Sequence, residues 1–292
     1  MNILQESESL AAEGADVMIA AGGDGTINAA ASALIRQSGG RSAAGSTSLG
    51  VIPAGTLNHF ARDLEIPLGA EEAARALRDG HVIQVDAAAV NGRVFINNSV
   101  LGLFPNYRSA REAWDRHGFG RSRLGRFIAT AAAMWRVFWR LPHLTVSLTF
   151  EGRQQRLRTP FVLIGNNEHA MEGLALGRRS SINKGLLWVY AMRPCSRWQL
   201  LRLVWGLVFG RAPRESIFQV FHTSRLTIDS KRRRIGVGID GEMVRMKAPL
   251  HYESLPGALQ VIAPAAYLAE GGSAVSEDGS AASPSTASAA AR

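Results

Sequence analysis

The chain has 292 residues, of which 46% are hydrophobic and 20% charged, and its formal net charge is +9. These proportions exclude a disordered chain and suffice for one large or two ordinary globular domains. The single cysteine, Cys195, excludes internal disulfides and cysteine-based zinc sites, and no uninterrupted apolar run is long enough to predict a membrane span. Because the excess charge is positive, it favours phosphate-bearing partners. We therefore expect a cytoplasmic protein that associates peripherally with membranes.

The first informative element is an apolar strand predicted at Val17–Ala21, followed by Gly-Gly-Asp-Gly-Thr at residues 22–26. Thr26 is expected to cap a helix that runs through residues 29–35. A glycine-rich turn between a strand and a helix directs backbone N–H groups and the positive end of the helix dipole at one point, and this geometry binds phosphate. Asp24 within the turn indicates a bridging Mg²⁺ or a proton to transfer. The alternative is a tight turn in which Asp24 caps the helix.

A second turn of the same kind follows the strand predicted at Leu49–Pro53. Within it, Gly55 permits close backbone approach, and Thr56 and Asn58 offer a hydroxyl and an amide at the start of a helix within residues 54–64. A further helix is predicted at residues 71–78. This alternation of strands and helices predicts a parallel sheet, in which both turns lie at the carboxyl ends of neighbouring strands and face one ligand.

From about residue 82 the pattern changes to strands with few helices, which predicts an antiparallel sandwich or barrel. A hairpin turn is expected at residues 151–152. Two helices are predicted within this region, one at Leu124–Leu141 with an arginine-rich face and an apolar one at Arg197–Phe209, and residues 266–292 are predicted to be a disordered tail. The predicted strands are His81–Val90, Arg93–Ser99, Leu144–Phe150, Gln155–Ile164, Gly185–Met192, Ser216–Phe221, Leu226–Asp229, Gly236–Ile239 and Leu259–Ala263.

Three segments in this order resemble the diacylglycerol kinase family of lipid kinases: residues 22–26, residues 55–62 and Asp-Gly-Glu at residues 240–242. The resemblance extends more weakly over residues 10–265. It implies a Rossmann-like, phosphofructokinase-like α/β nucleotide-binding domain at residues 1–85 and a β-sandwich lipid-binding domain at residues 86–265, with the active site in the cleft between them. The implied activity is ATP- and Mg²⁺-dependent transfer of the γ-phosphoryl group to the hydroxyl of diacylglycerol or a related lipid.

The resemblance also implies which residues form the site. The ATP phosphates would contact both turns, through Gly22, Gly23, Asp24, Gly25, Thr26, Gly55, Thr56 and Asn58. Proton transfer and Mg²⁺ binding would fall to three carboxylates, Asp24, Asp240 and Glu242. The residues do not decide between Asp24 and Asp240 as the base. Taken alone, Asp-Gly at residues 240–241 is also typical of a hairpin turn.

The chain departs from the family pattern at several positions. Ala29 stands where members usually have Glu, His59 where they often have Asp, and Asn183-Lys184 where they have two aspartates, which argues against a structural Mg²⁺ site at that stretch. The family's first strand, with its Asn-Pro and glycine-rich turn that contacts the nucleotide, has no counterpart in this sequence, so we expect either that the true start lies upstream or that the nucleotide site is incomplete. Two alternatives stay open, an NAD-kinase-like kinase for a small molecule and a catalytically degenerate member that binds lipid or nucleotide. A homodimer is left open as the assembly state, and no nucleic-acid partner is expected.

Overall fold

The computed structural model describes residues 3–40, 46–102, 144–172, 175–179, 181–194, 199 and 218–269. The helix predicted at Leu124–Leu141 and the predicted tail from residue 270 lie outside these residues, and so does the helix predicted at Arg197–Phe209 apart from residue 199. The described helices are α1 (Ile3–Ala12), α2 (Asp24–Gln37), α3 (His59–Asp63), α4 (Ala70–Arg78) and α5 (Ala265–Ala269). None of them is long and apolar enough to cross a membrane.

The described strands, numbered in chain order, form two large sheets and one two-stranded sheet. They are β1 (Val17–Gly22), β2 (Ser48–Pro53), β3 (His81–Val90), β4 (Arg93–Phe95), β5 (Asn98–Gly102), β6 (Leu144–Phe150), β7 (Arg153–Thr159), β8 (Phe161–Asn166), β9 (His169–Glu172), β10 (Ala175–Arg179), β11 (Leu187–Met192), β12 (Phe218–Thr223), β13 (Arg225–Ser230), β14 (Arg234–Ile239), β15 (Glu242–Lys247) and β16 (Leu250–Ala263).

The N-terminal part is an α/β layer built on β1 and β2, which pair in parallel from Val17 opposite Ser48 to Gly22 opposite Pro53. Helix α2 buries Ile27, Leu34 and Ile35 against this sheet. Strand β1 is at the end of its sheet. The alternation along it buries Met18 and Ala20 but leaves the residues Val17 and Ile19 42% and 59% exposed.

Strand β16 joins the two parts of the molecule. Its last residues pair in parallel with β2 through Val261 and Leu49, whereas its first residues pair antiparallel with β13. Along its other edge it pairs with the whole of β3, interrupted by an irregularity between Leu255 and Leu259. The α/β layer and one layer of the sandwich are therefore a single eight-stranded sheet, and the predicted boundary between residues 85 and 86 falls inside β3.

The second layer of the sandwich is a six-stranded antiparallel sheet in the order β12-β11-β8-β5-β14-β15. Alternate residues of both sheets point inward and form one apolar core, in which Val146, Ile228 and Tyr252 from the first sheet meet Val189 and Val237 from the second. The predicted fold class, an α/β part followed by a β-sandwich, is confirmed.

Several local predictions differ from the structure. Helix α2 begins at Asp24 with Gly23 as its N-cap and no side-chain capping bond, so the prediction that Thr26 caps it is wrong. The strand expected at residues 93–99 is two strands separated by Ile96 and Asn97. The strand expected at residues 155–164 is also two, because Pro160 has no N–H for the ladder.

Other elements were not predicted at all. Strands β9, β10 and β15 carry no clear alternation of apolar and polar residues, and β16 begins at Leu250, nine residues before the predicted start. Residues 266–269, which fall in the predicted disordered tail, belong to helix α5, and Tyr267 of this helix packs against the α/β core.

Candidate active site

The first glycine turn connects the buried strand β1 to helix α2. Gly23 is extended, with φ −87° and ψ −178°, and its carbonyl accepts the N–H groups of Thr26 and Ile27 at 3.0 and 3.1 Å. The first N–H groups of a helix have no intrahelical acceptor. A Cβ on Gly22 would lie 2.6 Å from Oγ1 of Thr26, so this close side chain requires glycine at position 22. The turn therefore presents backbone donors at a helix N-terminus, as expected for a phosphate site.

The second turn connects β2 to α3, and Asn58 fixes its shape. The Asn58 side chain accepts the N–H of Gly55 at 2.9 Å and donates to the carbonyl of Gly55 at 2.9 Å. Asn58 itself is buried and adopts a left-handed conformation with φ 50°. Gly55 and Thr56 stay exposed at the outer side of the turn. Asn58 thus shapes the loop, while Thr56 is available to a ligand.

The two turns are in direct contact. The N–H of Ala54 donates to the carbonyl of Gly22 at 2.9 Å, and a Cβ on Gly55 would lie 2.5 Å from the Cα of Gly23. Oδ1 of Asp24 accepts a long hydrogen bond of 3.5 Å from the N–H of Phe60 in α3. The prediction that both turns lie side by side at the carboxyl ends of β1 and β2 is confirmed.

Asp240 lies in a two-residue turn between β14 and β15, so the hairpin geometry is present. Its φ is 42° and that of Gly241 is 84°. The Asp240 carboxylate accepts the backbone N–H groups of Ile96, Asn97 and Asn98 at 2.8, 3.0 and 2.8 Å. The Asp240 carboxylate therefore binds the backbone at the break between β4 and β5. Burial raises the pKa of Asp240 to about 6, against the opposing effect of these three donors.

The predicted metal ligands do not form one cluster. Glu242 begins β15, and its carboxylate forms an exposed ion pair with Arg93 at 2.6 Å. Among the residues that the structure describes, no group of three His, Cys, Asp or Glu side chains is close enough to hold a metal ion. The set of Asp24, Asp240 and Glu242 is thus not assembled as a cage, because backbone donors bind Asp240 and a guanidinium binds Glu242.

A buried arginine that the sequence did not indicate lies between the two halves. Nε of Arg179 in β10 donates to Oδ2 of Asp63 in α3 at 2.7 Å, and its Nη1 donates to the carbonyl of Ile96 at 2.7 Å. Arg179 stands in a short strand without clear periodicity, and its partners are 116 and 83 residues away. No local signal could have found it.

A second buried carboxylate, Asp86 in β3, fixes the loops beside this region. It accepts the N–H groups of Gly185 and Gly257 at 2.5 and 2.8 Å and the side-chain amide of Asn167 at 3.0 Å. The neighbouring Lys184, which stands where the family has an aspartate, pairs with Glu168 at 3.1 Å. Within the described residues this stretch contributes no group of three possible metal ligands.

Comparison with known proteins identifies both parts of the chain. Residues 3–90 match the diacylglycerol kinase catalytic domain, and residues 119–263 match the YegS C-terminal NAD kinase beta sandwich-like domain. A Pseudomonas aeruginosa protein named "Probable lipid kinase YegS-like" is 32% identical over 267 residues, which cover 88% of this chain and 80% of that protein.

Two further matches agree with this assignment. A Staphylococcus saprophyticus diacylglycerol kinase is 40% identical over 87 residues, which cover 30% of this chain and 27% of that protein. The crystal structure of a diacylglycerol kinase from Bacillus anthracis shares the fold with a TM-score of 0.64 and 21% identity, covering 91% of this chain and 83% of that one. With the paired glycine turns and the two matched domains, the chain belongs to the diacylglycerol kinase family of lipid kinases and is a phosphotransferase with an alcohol acceptor.

Proposed function

We propose that this protein is an ATP- and Mg²⁺-dependent kinase that transfers the γ-phosphoryl group of ATP to the free hydroxyl of diacylglycerol or a related lipid. We place it at the cytoplasmic face of the membrane, to which it would bind peripherally. The observation that carries the proposal is the backbone contact between Gly23 and Gly55, which places two donor-rich turns together at the carboxyl ends of β1 and β2.

The glycine turns fit the phosphates of ATP. A Cβ at either contact position would occupy the space between the turns, at 3.2 Å from Gly55 Cα for Gly23 and at 2.5 Å from Gly23 Cα for Gly55. In the proposed complex the first N–H groups of α2 and the exposed turn at Gly55 and Thr56 bind the phosphate oxygens. Asn58 supports them by fixing the turn, because its side chain engages both polar groups of Gly55.

The carboxylates suit a nucleotide-borne Mg²⁺ better than a protein cage. Mg²⁺ in kinases is usually bound by one or two carboxylates together with substrate phosphates and water. Asp24 is partly buried within the first turn and is the carboxylate we assign to this ion. When bound, the ion would neutralise charge on the transferred group.

We assign the proton transfer to Asp240. Its raised pKa of about 6 lies close to the operating pH, which is where a general base is most effective. A carboxylate has roughly four acceptor positions. Backbone donors take three of them, so one direction remains for the lipid hydroxyl. Glu242 forms an ion pair with Arg93, and we assign it no direct contact with the substrate.

The test is transfer of label from γ-labelled ATP to dioleoylglycerol in phosphatidylglycerol vesicles, with Mg²⁺ present or chelated. We expect a labelled phospholipid that requires Mg²⁺ and that disappears in Asp240→Ala. Asp229→Ala is the matched control, because Asp229 is an exposed strand residue whose carboxylate contacts its own neighbour Ser230. Unchanged transfer in Asp240→Ala would refute its role, and no transfer by the unmodified protein would refute the proposed function.

A further inference from the structure

Arg179 is a fully buried cation at the junction of the two parts of the molecule. Its side chain is 0% exposed and that of its partner Asp63 is 7% exposed. Both the backbone N–H and Nε of Arg179 donate to Asp63, at 3.1 and 2.7 Å, and its guanidinium carbon lies 5.7 Å from the centre of the Phe60 ring. Since Phe60 and Asp63 are both in α3, Arg179 binds the helix that follows the second glycine turn.

The other end of the same guanidinium contacts the acceptor side of the proposed site. Nη1 donates to the carbonyls of Ile96 and Asn166 at 2.7 and 3.4 Å. Ile96 also donates its N–H to Asp240, and its carbonyl accepts the side-chain amide of Asn166 at 2.9 Å. One residue, Ile96, is therefore bound by Arg179 through its carbonyl and by Asp240 through its N–H.

The polar groups around this guanidinium are not all satisfied. Nη2 of Arg179, Oδ1 of Asn97 and Oδ1 of Asn166 are buried without a hydrogen-bond partner. A buried ion pair is itself weak evidence for stability, because desolvation offsets much of the attraction. Unsatisfied atoms add to that cost. The arrangement is therefore a poor way to stabilise a fold, but it sets a defined distance between α3 and the strand ends at Ile96.

We propose that Arg179 is a positioning residue for phosphoryl transfer, which fixes the nucleotide-binding turn at residues 54–58 relative to the turn that carries Asp240. This inference rests on the proposed function. Lysine could not replace arginine here, because a single ammonium lacks the planar fork that reaches Asp63 on one side and Ile96 on the other. Each substrate would still bind its own half without Arg179, but the reacting groups would lose their alignment.

Loss of alignment has a characteristic kinetic signature. A misplacement of about 1 Å can cost on the order of a hundredfold in rate without changing the binding contacts. We therefore expect kcat to fall by roughly tenfold or more, whereas KM for ATP and for the lipid stays within about twofold of wild type. We also expect less lipid phosphorylated per ATP hydrolysed, since water requires no alignment with a bound lipid. If Arg179 had a purely structural role, its loss would lower the amount of folded enzyme. The kcat per folded molecule, both KM values and the amount of lipid phosphorylated per ATP hydrolysed would then stay unchanged.

The experiment compares the full-length protein with the double variant Asp63→Asn and Arg179→Met. This pair removes both charges together, so no uncompensated ion stays buried, and the asparagine oxygen still accepts the N–H of residue 179. The matched control is Glu71→Gln with Arg75→Met, which removes an exposed ion pair on α4. All variants are assayed for label transfer to dioleoylglycerol, for ATP hydrolysis and for thermal unfolding.

The proposal expects a folded double variant with reduced kcat, near-normal KM values and a reduced ratio of lipid product to ATP hydrolysed. Wild-type kcat per folded molecule in the double variant would overturn it while leaving the proposed function intact. If the double variant does not fold, Arg179→Lys tests the proposal instead. Full kcat in Arg179→Lys would show that the planar guanidinium is dispensable and would overturn the proposal. No lipid phosphorylation by the unmodified protein would overturn the proposed function and this inference with it.

Discussion

Gly55 and Gly23 bring the two glycine turns into backbone contact, since a Cβ on Gly55 would lie 2.5 Å from the Cα of Gly23. The same Cβ would lie 2.7 Å from Oδ1 of Asn58, the atom that accepts the Gly55 N–H. The contact with Gly23 is with backbone, so no change of side-chain rotamer relieves it. The shape of the proposed phosphate site therefore depends on two glycines from two different turns.

Gly55→Ala is expected to separate the turns and to raise KM for ATP by roughly tenfold or more, because small displacements of binding groups are costly. The measurement is steady-state kinetics together with thermal unfolding. Gly238→Ala in β14 is the control, since its Cβ would meet only ordinary contacts, the shortest being 3.6 Å to Val100. A wild-type KM in Gly55→Ala would contradict the assignment.

Two substitutions of Asn58 separate the effect of its side-chain hydrogen bonds from the effect of its left-handed backbone conformation. Asn58→Gly keeps the left-handed φ of 50° accessible but removes both hydrogen bonds to Gly55. We expect weaker ATP binding and a loss of about 1–2 kcal/mol in the free energy of unfolding. Asn58→Ala should cost about 1 kcal/mol more, because alanine is strained in this conformation. Urea unfolding of both variants provides the comparison, and equal stabilities would disagree with this account.

Asp86 is expected to be among the most sensitive structural positions. It is 2% exposed, and three donors from separate segments of the chain converge on its carboxylate. Asp86→Ala leaves these donors buried without an acceptor and should lower the free energy of unfolding by about 3 kcal/mol or more. The exposed Asp229→Ala should change it by less than about 0.5 kcal/mol. Similar unfolding midpoints for the two variants would contradict the role given to Asp86.

His169 and Asp240 should affect the pH dependence of stability in opposite directions. Burial, helped by the charge of Arg179, lowers the pKa of His169 from 6.5 to about 4. Between these values the unfolded chain binds more protons, so the contribution of His169 to stability rises with pH. Burial raises the pKa of Asp240 from 3.8 to about 6, so between these values the folded chain binds more protons and stability falls with pH.

The two contributions overlap between about pH 4 and 6 and oppose each other. Asp240→Asn should therefore make stability rise more steeply with pH than in wild type, and His169→Gln should make it rise less steeply. Urea midpoints at pH 4.5 and 6.0 measure both slopes. Parallel pH profiles for the wild type and the two variants would show that neither group titrates as described.

Local sequence pattern predicted the elements whose side chains repeat regularly. The runs at β1, β2, β3 and β6 have clear apolar patterns, and the glycine turns carry their own backbone signature. Strand β15 was missed, because its exposed and half-buried residues show no apolar face. The gap between β4 and β5 was missed for a different reason, since its cause is a carboxylate about 140 residues away.

The sequence likewise indicated only part of the candidate site. Both glycine turns and the turn at Asp240 are evident in the sequence, because each combines glycine with a polar residue, and their roles in the site stay predictions. The roles of Arg179, Asp63 and Asp86 depend on pairing between distant segments, which no local pattern reveals. The three predicted carboxylates, Asp24, Asp240 and Glu242, do not form a cluster among the described residues, because backbone donors bind Asp240 and Arg93 binds Glu242. Their catalytic and metal-binding roles stay predictions.

We propose that the hydroxyl of a lipid accepts the phosphoryl group. The most direct test is one reaction that contains the full-length protein, γ-labelled ATP, Mg²⁺, dioleoylglycerol in phosphatidylglycerol vesicles and NAD, with the products separated by thin-layer chromatography. We predict label in the phosphorylated lipid and none in the dinucleotide. Label in the dinucleotide with none in the lipid would contradict the claim.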